Sequence, residues 1–533
     1  MKGYRIVLTA DRTLMSEYGG GIFFGFSACI PKGLIPDKVY FSVFCPSVKV
    51  GKKGEAKIAP YGTRKIEAAL LDYGFDESEV IVAHPDYLHK VVGEETKVVG
   101  ITENDPLGMG PATTTFTQLF GGEAYMAIKF REILNHPAVI RYKPKIIVGG
   151  AGAWQLEDDE VRRGLGIDCV VVGEGEKVVG PLFEKAVNGE PLPELVYGDV
   201  VPEEDMPIIR NPTIHGLIEI ARGCGRGCAF CVPTLLKLRS RPISHILKEV
   251  EVNVRAGKNP ILHAEDVLRY GTKKIEPDEE KVIKLFKAIR NHPGVERIGI
   301  SHFALASVAC APKLVEEITP LMGVGETVEW IGAQTGIETG SPEMIKMHMA
   351  GKCKPFKPEE WPDVVVRAYE ILKDNNWLPC STIIIGLPGE TEKDVSLTID
   401  LVERLWSFRG LIVPLFFVAI GRLRKKSKSL KLEDLTIRRS ELLLKCWEYN
   451  LKWAKILLND YLRTWIKNRI VRASMRKILE YGIKYGSEAI KKCREDYGYN
   501  LLAFREDVVR GRVSITPRSV AIIRKIIGVI RKH

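Results

Sequence analysis

Three cysteines stand within eight residues in the segment 221–231, which reads Ala-Arg-Gly-Cys-Gly-Arg-Gly-Cys-Ala-Phe-Cys. Three residues separate Cys224 from Cys228, and two separate Cys228 from Cys231. Thiolates are soft ligands that suit iron–sulfur clusters, copper(I) or zinc. Three of them would hold three corners of a [4Fe–4S] cluster and leave the fourth iron open to a substrate or cofactor. The intervening glycines allow the backbone to fold tightly around a bulky cluster.

A structural zinc site is the alternative interpretation of these cysteines. Zinc normally takes a closed tetrahedral set, supplied by two Cys/His pairs, and no second such pair follows in the sequence. The chain has eleven cysteines, and those outside this segment are scattered singly, which argues against a disulfide framework. The spacing favours a cluster. A non-enzymatic module that binds zinc or a corrinoid stays open as an alternative.

The spacing Cys-x3-Cys-x2-Cys, with an aromatic residue before the last cysteine, resembles the signature of the radical S-adenosylmethionine (SAM) superfamily. The resemblance implies that Cys224, Cys228 and Cys231 bind a [4Fe–4S] cluster and that Phe230 lies beside the adenine of SAM. It also implies that SAM docks on the open iron. Cleavage of SAM would then yield methionine and a 5′-deoxyadenosyl radical that activates an unactivated C–H bond.

Three further segments resemble SAM-binding parts of that superfamily. The segment 381–391 contains Gly-Leu-Pro-Gly-Glu-Thr, a turn whose backbone meets adenine in radical SAM cores, although an ordinary strand-to-helix turn would have the same geometry. The segment 261–266 resembles the second barrel strand, with carboxylates for the amino group of SAM; a carboxylate that caps the next helix is the alternative. The segment 330–341 resembles the fourth strand. The residues implied as SAM contacts are Gly386, Leu387, Pro388, Glu265, Asp266, Gln334 and Glu338.

The first 200 residues alternate short apolar runs with helical patterns. The runs at 80–83, 97–101, 145–150 and 169–173 are apolar on both faces, which predicts a buried parallel sheet flanked by helices such as 58–73 and 122–134. In such sheets ligands bind beyond the carboxyl ends of the strands. Those ends are rich in glycine, which permits close approach of a ligand to the backbone.

Two of these glycine-rich ends resemble the cobalamin-binding domain that precedes many radical SAM cores. The resemblance implies cobalamin contacts at Gly149, Gly150, Gly173, Glu174, Gly175 and Glu176. The motif Asp-x-His-x-x-Gly, whose His binds cobalt in that family, is absent here. A bound cobalamin would therefore lack that ligand, and whether cobalamin binds stays open.

The predicted fold class is α/β. We expect a Rossmann-like domain of the cobalamin-binding type at 1–200, a linker at 201–215, and a radical SAM core with a partial (β/α)6 barrel at 216–420. A basic helical region follows at 421–533. A basic helix is also predicted after the cysteine loop, at Lys237, Arg239 and Arg241.

The C-terminal region combines basic residues with tryptophans at helical spacing. Such a stripe suits the surface of an anionic membrane, and so does the alternation of Arg and Lys with Ile and Val at 514–533. A helical cap packed over the barrel is the favoured interpretation. The first eight residues predict a strand rather than a signal peptide, and the apolar run 411–420 is too short to span a bilayer. We expect a cytoplasmic protein that makes at most peripheral membrane contact.

The overall pattern is similar to archaeal members of the superfamily, including the ring synthases of tetraether lipids. This implies carbon–carbon bond (ring) formation in a membrane lipid; cobalamin-dependent methyl transfer to a lipid, natural product or protein is the alternative. An external electron donor such as ferredoxin is implied in either case. The net charge of +11 allows an acidic partner. Nucleic acid is not favoured, because the tRNA methylthiotransferases carry a second cysteine cluster where this chain has only Cys29, Cys45 and Cys169.

Overall fold

The computed structural model describes residues 2–18, 22–232, 236–465 and 469–513. The strands are β1 Ile6–Thr9, β2 Val80–Val82, β3 Val98–Thr102, β4 Lys145–Gly149, β5 Cys169–Gly173, β6 Leu195–Gly198, β7 Leu217–Glu219, β8 Ala221–Arg222, β9 Arg239–Ser240, β10 Ile261–His263, β11 Gly299–Ile300, β12 Ile331–Glu338, β13 Trp377–Ile385 and β14 Leu411–Phe416.

The helices alternate with these strands until β14 and then continue alone. They are α1 Asp37–Val39, α2 Tyr61–Tyr73, α3 Pro111–Phe120, α4 Tyr125–Leu134, α5 Pro137–Tyr142, α6 Asp159–Gly164, α7 Val179–Val187, α8 Ile243–Arg255, α9 Glu279–Arg290, α10 Leu305–Cys310, α11 Pro312–Leu321, α12 Pro342–Met349, α13 Trp361–Asp374, α14 Glu392–Arg404, α15 Ile437–Trp465, α16 Arg469–Tyr497 and α17 Leu501–Val509.

The N-terminal strands form one six-stranded parallel sheet in the order β2-β1-β3-β4-β5-β6. Its two faces are covered by separate apolar clusters, one containing Ile6, Leu8 and Phe183 and the other containing Val7 and Phe130. The predicted parallel sheet is confirmed. The strand order reverses between β1 and β3, which in open α/β sheets marks the place where ligands bind.

The second α/β unit contains six parallel strands in two halves. One half has the order β11-β10-β7 and the other β12-β13-β14. A parallel bridge between His302 and Gln334 joins the halves, with Gln334 N donating to Ser301 O over 2.8 Å. The strands therefore follow each other in the order of a partial (β/α)6 barrel, as the sequence predicts.

The turn after β13 shows how the local sequence sets this alternation. Gly386 has a φ of +84°, which favours glycine, and it ends the strand. Thr391 then caps α14: its hydroxyl accepts from Asp394 N while the Asp394 carboxylate accepts from Thr391 N. The segment Gly-Leu-Pro-Gly-Glu-Thr is thus a strand stop followed by a capping box.

The segment after the cysteine loop differs from its prediction. No helix forms at 237–241. Instead β9 pairs antiparallel with β8, so that Arg239 lies opposite Arg222 and the cysteine loop connects the two strands of this ribbon. Pro242 explains the difference, because a proline disfavours the α conformation at the residue before it; α8 begins only at Ile243.

The first part of the C-terminal region packs against the barrel. Leu442, Leu443, Cys446 and Tyr449 of α15 are buried in the main core, and Trp447 stacks against Phe120 with the ring centroids 6.2 Å apart. The described part of α15 thus forms a cap, as the sequence favoured. The segment 514–533 lies outside the described residues. Among the described helices, none has the length and apolar character to cross a membrane.

Candidate functional site

The cysteine loop runs between β8 and β9. Cys224 and Cys228 are each 4% exposed, and Cys231 is partly buried. Burial raises the pKa of the Cys224 thiol and of the Cys228 thiol above the usual value. Iron binds thiolates, so loading this loop with metal would release protons.

Glycines give the loop its shape. Gly223, Gly225 and Gly227 have φ values of +79°, +71° and +76°, which other residues rarely adopt. A Cβ at Gly223 would lie 2.5 Å from the carbonyl oxygen of Lys237. The glycines predicted from the motif are therefore required by backbone conformation.

Two distant segments hold the loop from behind. Ala229 N donates to the carbonyl of His348 at the end of α12 over 2.8 Å, and Arg422 N donates to the carbonyl of Ala229 over 2.9 Å. At Gly421 a Cβ would lie only 2.9 Å from Ala229 O, so the chain after β14 passes close against the loop. Both contacts come from the half of the barrel that contains β12 and β14, so they fix the cysteine loop, which follows β7 and β8, against the other half.

The donor chemistry of the loop fits an iron–sulfur cluster. In the described parts of the chain, no three His, Cys, Asp or Glu side chains converge closely enough to hold a single metal ion, and the three thiols are included in that statement. A cubane needs no such convergence, because each of its thiolates binds a different iron. Three thiols on a glycine-rich loop beside a cavity meet the requirement for a cluster with one open corner.

A cavity of about 1120 Å³ extends from the cysteine loop to the N-terminal sheet. The last residues of strands from both sheets line it, which places it beyond the carboxyl ends of the two sheets at once. These strand ends are Thr102 of β3, Gly149 of β4, Gly173 of β5, Glu219 of β7, His263 of β10, Glu338 of β12 and Phe416 of β14.

The wall on the side of the N-terminal sheet includes backbone without side chains at the ends of β4 and β5. Gly149, Gly150, Gly173 and Gly175 all line the cavity, as do Glu174 and Glu176. Local packing explains two of the glycines: a Cβ would lie 2.5 Å from Glu103 O at Gly150 and 3.0 Å from Gly198 O at Gly173. It does not explain the other two, since a Cβ would make ordinary contacts at Gly149 (3.6 Å) and acceptable ones at Gly175 (3.4 Å). Their side chains would instead fill the cavity, as expected where a large ligand approaches the backbone.

The two glutamates of this wall bind arginines of the β8–β9 ribbon. Arg222 donates to Glu176 over 2.7 Å and to Glu174 over 3.0 Å, and it also binds Glu219 over 2.8 Å. Arg239 binds Glu174 as well. The carboxylates predicted as cobalamin contacts are therefore occupied by a buried ion-pair network between the two sheets.

The pKa values in this network follow from the arginines. Burial opposes ionisation of Glu219, but Arg222 outweighs it and lowers the pKa of that carboxyl to about 2. Burial also opposes ionisation of Glu174, while Arg239 and Arg222 hold its pKa below the usual value. Glu219 and Glu174 are therefore held in their charged forms by the arginines, and these ion pairs connect the two sheets.

The wall on the barrel side carries thiol, carboxyl and aromatic side chains that could bind or react with a ligand. Phe230, Cys231, Glu265 and Glu338 line the cavity. Glu338 accepts from Lys352 Nζ over 3.2 Å and from Thr382 Oγ1 over 3.0 Å. Burial opposes the charge of Lys352, but Glu338 raises the pKa of that amine above the usual value.

The remaining predicted SAM contacts do not line this cavity. Asp266 accepts from Ser307 Oγ over 2.6 Å and from Arg226 over 3.3 Å, so it is bound inside the barrel wall. The side chain of Gln334 is bound to His302 over 3.1 Å. Leu387 is buried in the core, and the carbonyl of Pro388 accepts from His348 over 2.7 Å. Gly386 packs against Leu430, with no space for a Cβ.

Several residues of the site escaped sequence reasoning. Arg222 lies next to the cysteine motif in the sequence, but its ion pairs are with glutamates of the N-terminal sheet, which the sequence does not place beside it. His263 and Lys352 are single polar residues in ordinary segments. His263 could have been found from its place at a strand end beside the predicted acidic pair; Lys352 carried no signal of that kind.

The fold and the site define a class of protein: two α/β units whose sheets share one cavity, with a three-cysteine loop at its edge. Residues 218–402 match the Radical SAM superfamily and form a radical SAM domain. Such a domain implies a [4Fe–4S] cluster and SAM. It covers β7 to α14 and includes all three cysteines.

Curated relatives match over the core of the chain. A tRNA-2-methylthio-N(6)-dimethylallyladenosine synthase of Thermotoga petrophila is 28% identical over 272 residues, which are 50% of this chain and 57% of the relative. The ribosomal protein uS12 methylthiotransferase RimO of Dictyoglomus thermophilum is 24% identical over 309 residues, 56% of this chain and 65% of the relative. The chain thus spans between half and two thirds of the length of these relatives.

One solved structure is similar over most of the chain. The radical SAM methyltransferase TsrM of Kitasatospora setae, solved with tryptophan substrate and a SAM analogue, is 16% identical. It covers 79% of this chain and 75% of its own, with a TM-score of 0.51. A second structure of TsrM contains cobalamin and a [4Fe–4S] cluster. At this identity the likeness shows a shared fold.

Proposed function

We propose that the chain is a radical SAM methyltransferase that holds SAM against its barrel and cobalamin against its N-terminal sheet. The observation that carries the proposal is the single cavity between the carboxyl ends of the two sheets. Its volume of about 1120 Å³ exceeds the range of roughly 300–1,000 Å³ that is usual for one small ligand. It has room for a large cofactor next to a substrate.

The chain offers a distinct set of residues to each group. Cys224, Cys228 and Cys231 would hold the cluster, and Phe230 would lie beside SAM. The backbone at Gly149–Gly150 and at Gly173–Gly175 would support cobalamin. The cluster supplies the electron that cleaves SAM, and cobalamin carries a methyl group.

Ring formation in a membrane lipid is the second candidate. Apolar side chains on both walls favour an apolar substrate, and they include Leu14, Ile66, Phe183, Leu415 and Phe417. A lipid chain and an apolar natural product would both suit them. Nucleic acid is not proposed as a substrate. We expect a cytoplasmic enzyme with peripheral membrane contact and an external one-electron donor such as ferredoxin.

Anaerobic reconstitution tests the cofactors without knowledge of the substrate. We expect about four irons for each chain, release of 5′-deoxyadenosine or transfer of label from SAM under dithionite, and an absorbance change on titration with cobalamin. The variant Cys231→Ala is the control that should lose iron. One zinc with no iron would contradict the proposal and favour a non-enzymatic module.

A second experiment separates the two candidate reactions. An extract of a strain that lacks the gene is incubated with the reconstituted protein, cobalamin and SAM that carries a ¹³C methyl group. A product that gains the labelled methyl supports methyl transfer. A product that loses two hydrogens without gaining label, together with a change in lipid ring number in the deletion strain, supports ring formation instead.

A further inference from the structure

A chain of four hydrogen-bonded side chains crosses the barrel from one half to the other. His263 Nδ1 lies 2.9 Å from Ser301 Oγ, which in turn lies 2.9 Å from His302 Nδ1. His302 Nε2 lies 3.1 Å from the amide oxygen of Gln334. The two imidazole rings meet edge to face, with centroids 5.6 Å apart. This series of hydrogen bonds begins at the cavity, because His263 lines it, and it ends at Gln334 inside the barrel.

The direction of each hydrogen bond can be derived from the Gln334 end. An amide oxygen only accepts, so His302 Nε2 carries a hydrogen. Burial lowers the pKa of His302 to about 3, so its ring is neutral and its Nδ1 is an acceptor. Ser301 must therefore donate its one hydroxyl proton to His302.

The same reasoning fixes the proton of His263. Because Ser301 has already donated its proton, its oxygen accepts from His263 Nδ1. When the ring carries a single hydrogen, that hydrogen is thus on Nδ1, and the lone pair is on Nε2. Among the described residues, no hydrogen-bond partner engages His263 Nε2, and the residue lies on the cavity wall. A neutral imidazole with one oriented nitrogen and one open nitrogen is the arrangement of a general base.

The other described titratable groups around His263 are either held in ion pairs or not oriented by a hydrogen bond. Glu219 of β7, which is paired with His263 in register, is bound to Arg222, and Glu338 across the cavity is bound to Lys352. Glu265 lies two residues further on, and burial raises the pKa of its carboxyl although His263 opposes the shift. Within the described residues, no hydrogen bond orients the Glu265 carboxylate.

We propose that His263 is the catalytic proton acceptor of this enzyme and that Ser301, His302 and Gln334 are positioning residues that keep its Nε2 unprotonated. The proposal rests on the proposed methyl transfer. In the two-electron form of that transfer, SAM gives up its methyl group and leaves as S-adenosylhomocysteine, the X–H electron pair forms the X–CH₃ bond, and one proton must leave; if a radical removed the hydrogen as an atom, no proton acceptor would be needed. That proton goes to His263 Nε2. The substrate class is a largely apolar molecule with one such X–H group facing β10.

The tautomer of His263 tests the inference without any substrate. In ¹⁵N spectra of histidine-labelled holoenzyme, we expect a protonated Nδ1 and an unprotonated Nε2 for His263, assigned by difference from His263→Gln. Ser301→Ala should shift His263 toward the Nε2–H tautomer, because that form is favoured when nothing holds Nδ1. Ser301→Thr retains a hydroxyl and should restore the wild-type spectrum. A protonated Nε2 in the wild type would overturn the proposal.

Chemical modification gives a second readout. Diethyl pyrocarbonate acylates unprotonated imidazole nitrogens. By mass spectrometry we expect His263 to be modified at least tenfold faster than His302, whose two nitrogens are both hydrogen-bonded. Equal or slower modification of His263 would contradict the inference. Failure of the proposed function would appear separately, as absence of iron and of SAM turnover in protein whose His263 behaves as described.

Discussion

The two walls of the cavity are built in opposite ways. The N-terminal wall presents glycine backbone at the ends of β4 and β5 beside apolar side chains such as Ile66 and Phe183, and its two glutamates are held in ion pairs with Arg222 and Arg239. The barrel wall presents side chains that can react or bind, among them Cys231 and His263. Backbone suits the support of a large, rigid ligand, whereas side chains suit steps in which electrons or protons move. The comparison indicates that the N-terminal sheet supports the bound ligand, whereas the barrel supplies the side chains that take part in the reaction.

Removal of a cluster ligand should abolish iron binding at the barrel wall and leave ligand binding at the N-terminal wall unchanged. In Cys228→Ala we expect the iron content to fall from about four for each chain to less than one. Cobalamin affinity should stay within twofold of wild type, because the cysteine loop and the glycines of β4 and β5 belong to different sheets. The matched control is Cys310→Ala, a partly buried cysteine of α10, which should retain its iron. Loss of cobalamin binding in Cys228→Ala would show that the walls are not independent.

The N-terminal wall can be disrupted by filling it. Gly149→Leu adds a side chain where a Cβ makes only ordinary contacts, so the fold should persist while the cavity is occupied. We expect the Kd for cobalamin to rise at least tenfold, which corresponds to about 1.4 kcal/mol. Gly164→Leu on α6, where nothing lies within 4 Å of a Cβ, is the control and should bind as wild type does. Titration followed by absorbance measures both, and an unchanged Kd in Gly149→Leu would argue against cobalamin at this wall.

Substitution of Arg222 removes the ion pairs that connect the two walls. In Arg222→Met, the buried Glu219 and Glu176 lose their cation, and removing one partner of a buried pair typically costs about 3–5 kcal/mol. Arg404→Met, which breaks an exposed pair with Asp363, should cost about 0–1 kcal/mol. Denaturant unfolding gives both values. A loss below 1 kcal/mol in Arg222→Met would mean that these ion pairs contribute little to stability.

A smaller effect is expected from two carboxyls beneath the N-terminal wall. Asp11 and Glu103 are fully buried, Asp11 N donates to Glu103 Oε1 over 2.9 Å, and Asp11 Oδ2 and Glu103 Oε2 lack partners. Burial and the Asp11 carboxylate raise the pKa of Glu103 well above the usual value. The folded state therefore binds this proton more tightly than the unfolded state, and stability falls as the pH rises above the unfolded pKa.

Glu103→Gln removes that dependence. We expect its free energy of unfolding to exceed that of wild type by about 1 kcal/mol at pH 7 and to match it near pH 4. Glu219 should behave in the opposite way: its pKa of about 2 means that its contribution is present above pH 4.5 and is lost as the pH falls toward 2. Thermal unfolding across this pH range checks both slopes. A Glu103→Gln variant that is less stable at pH 7 would contradict the assignment.

The sequence predicted those parts of the molecule that depend on local pattern. The cysteine spacing, the glycine-rich strand ends and the capped turn at Thr391 are encoded within a few residues, and the parallel sheet follows from apolar runs. The partners of the charged residues could not be predicted in this way. Glu176 and Arg222 meet only because two sheets face each other, and Arg239 joins a strand because Pro242 delays the next helix. Gln334 is predicted as a SAM contact, but its side chain binds His302 instead. That bond forms only when the two halves of the barrel come together, so the sequence could not predict it.

The contact of Arg422 and Gly421 with Ala229 has a consequence for how the protein matures. The cysteine loop is translated long before the segment that braces it, and that segment follows the last barrel strand. A nascent chain that ends before Gly421 has all three thiols but not their final geometry. We therefore expect iron and sulfide to be inserted only after the barrel is complete, when Gly421 and Arg422 already hold the loop in its final geometry.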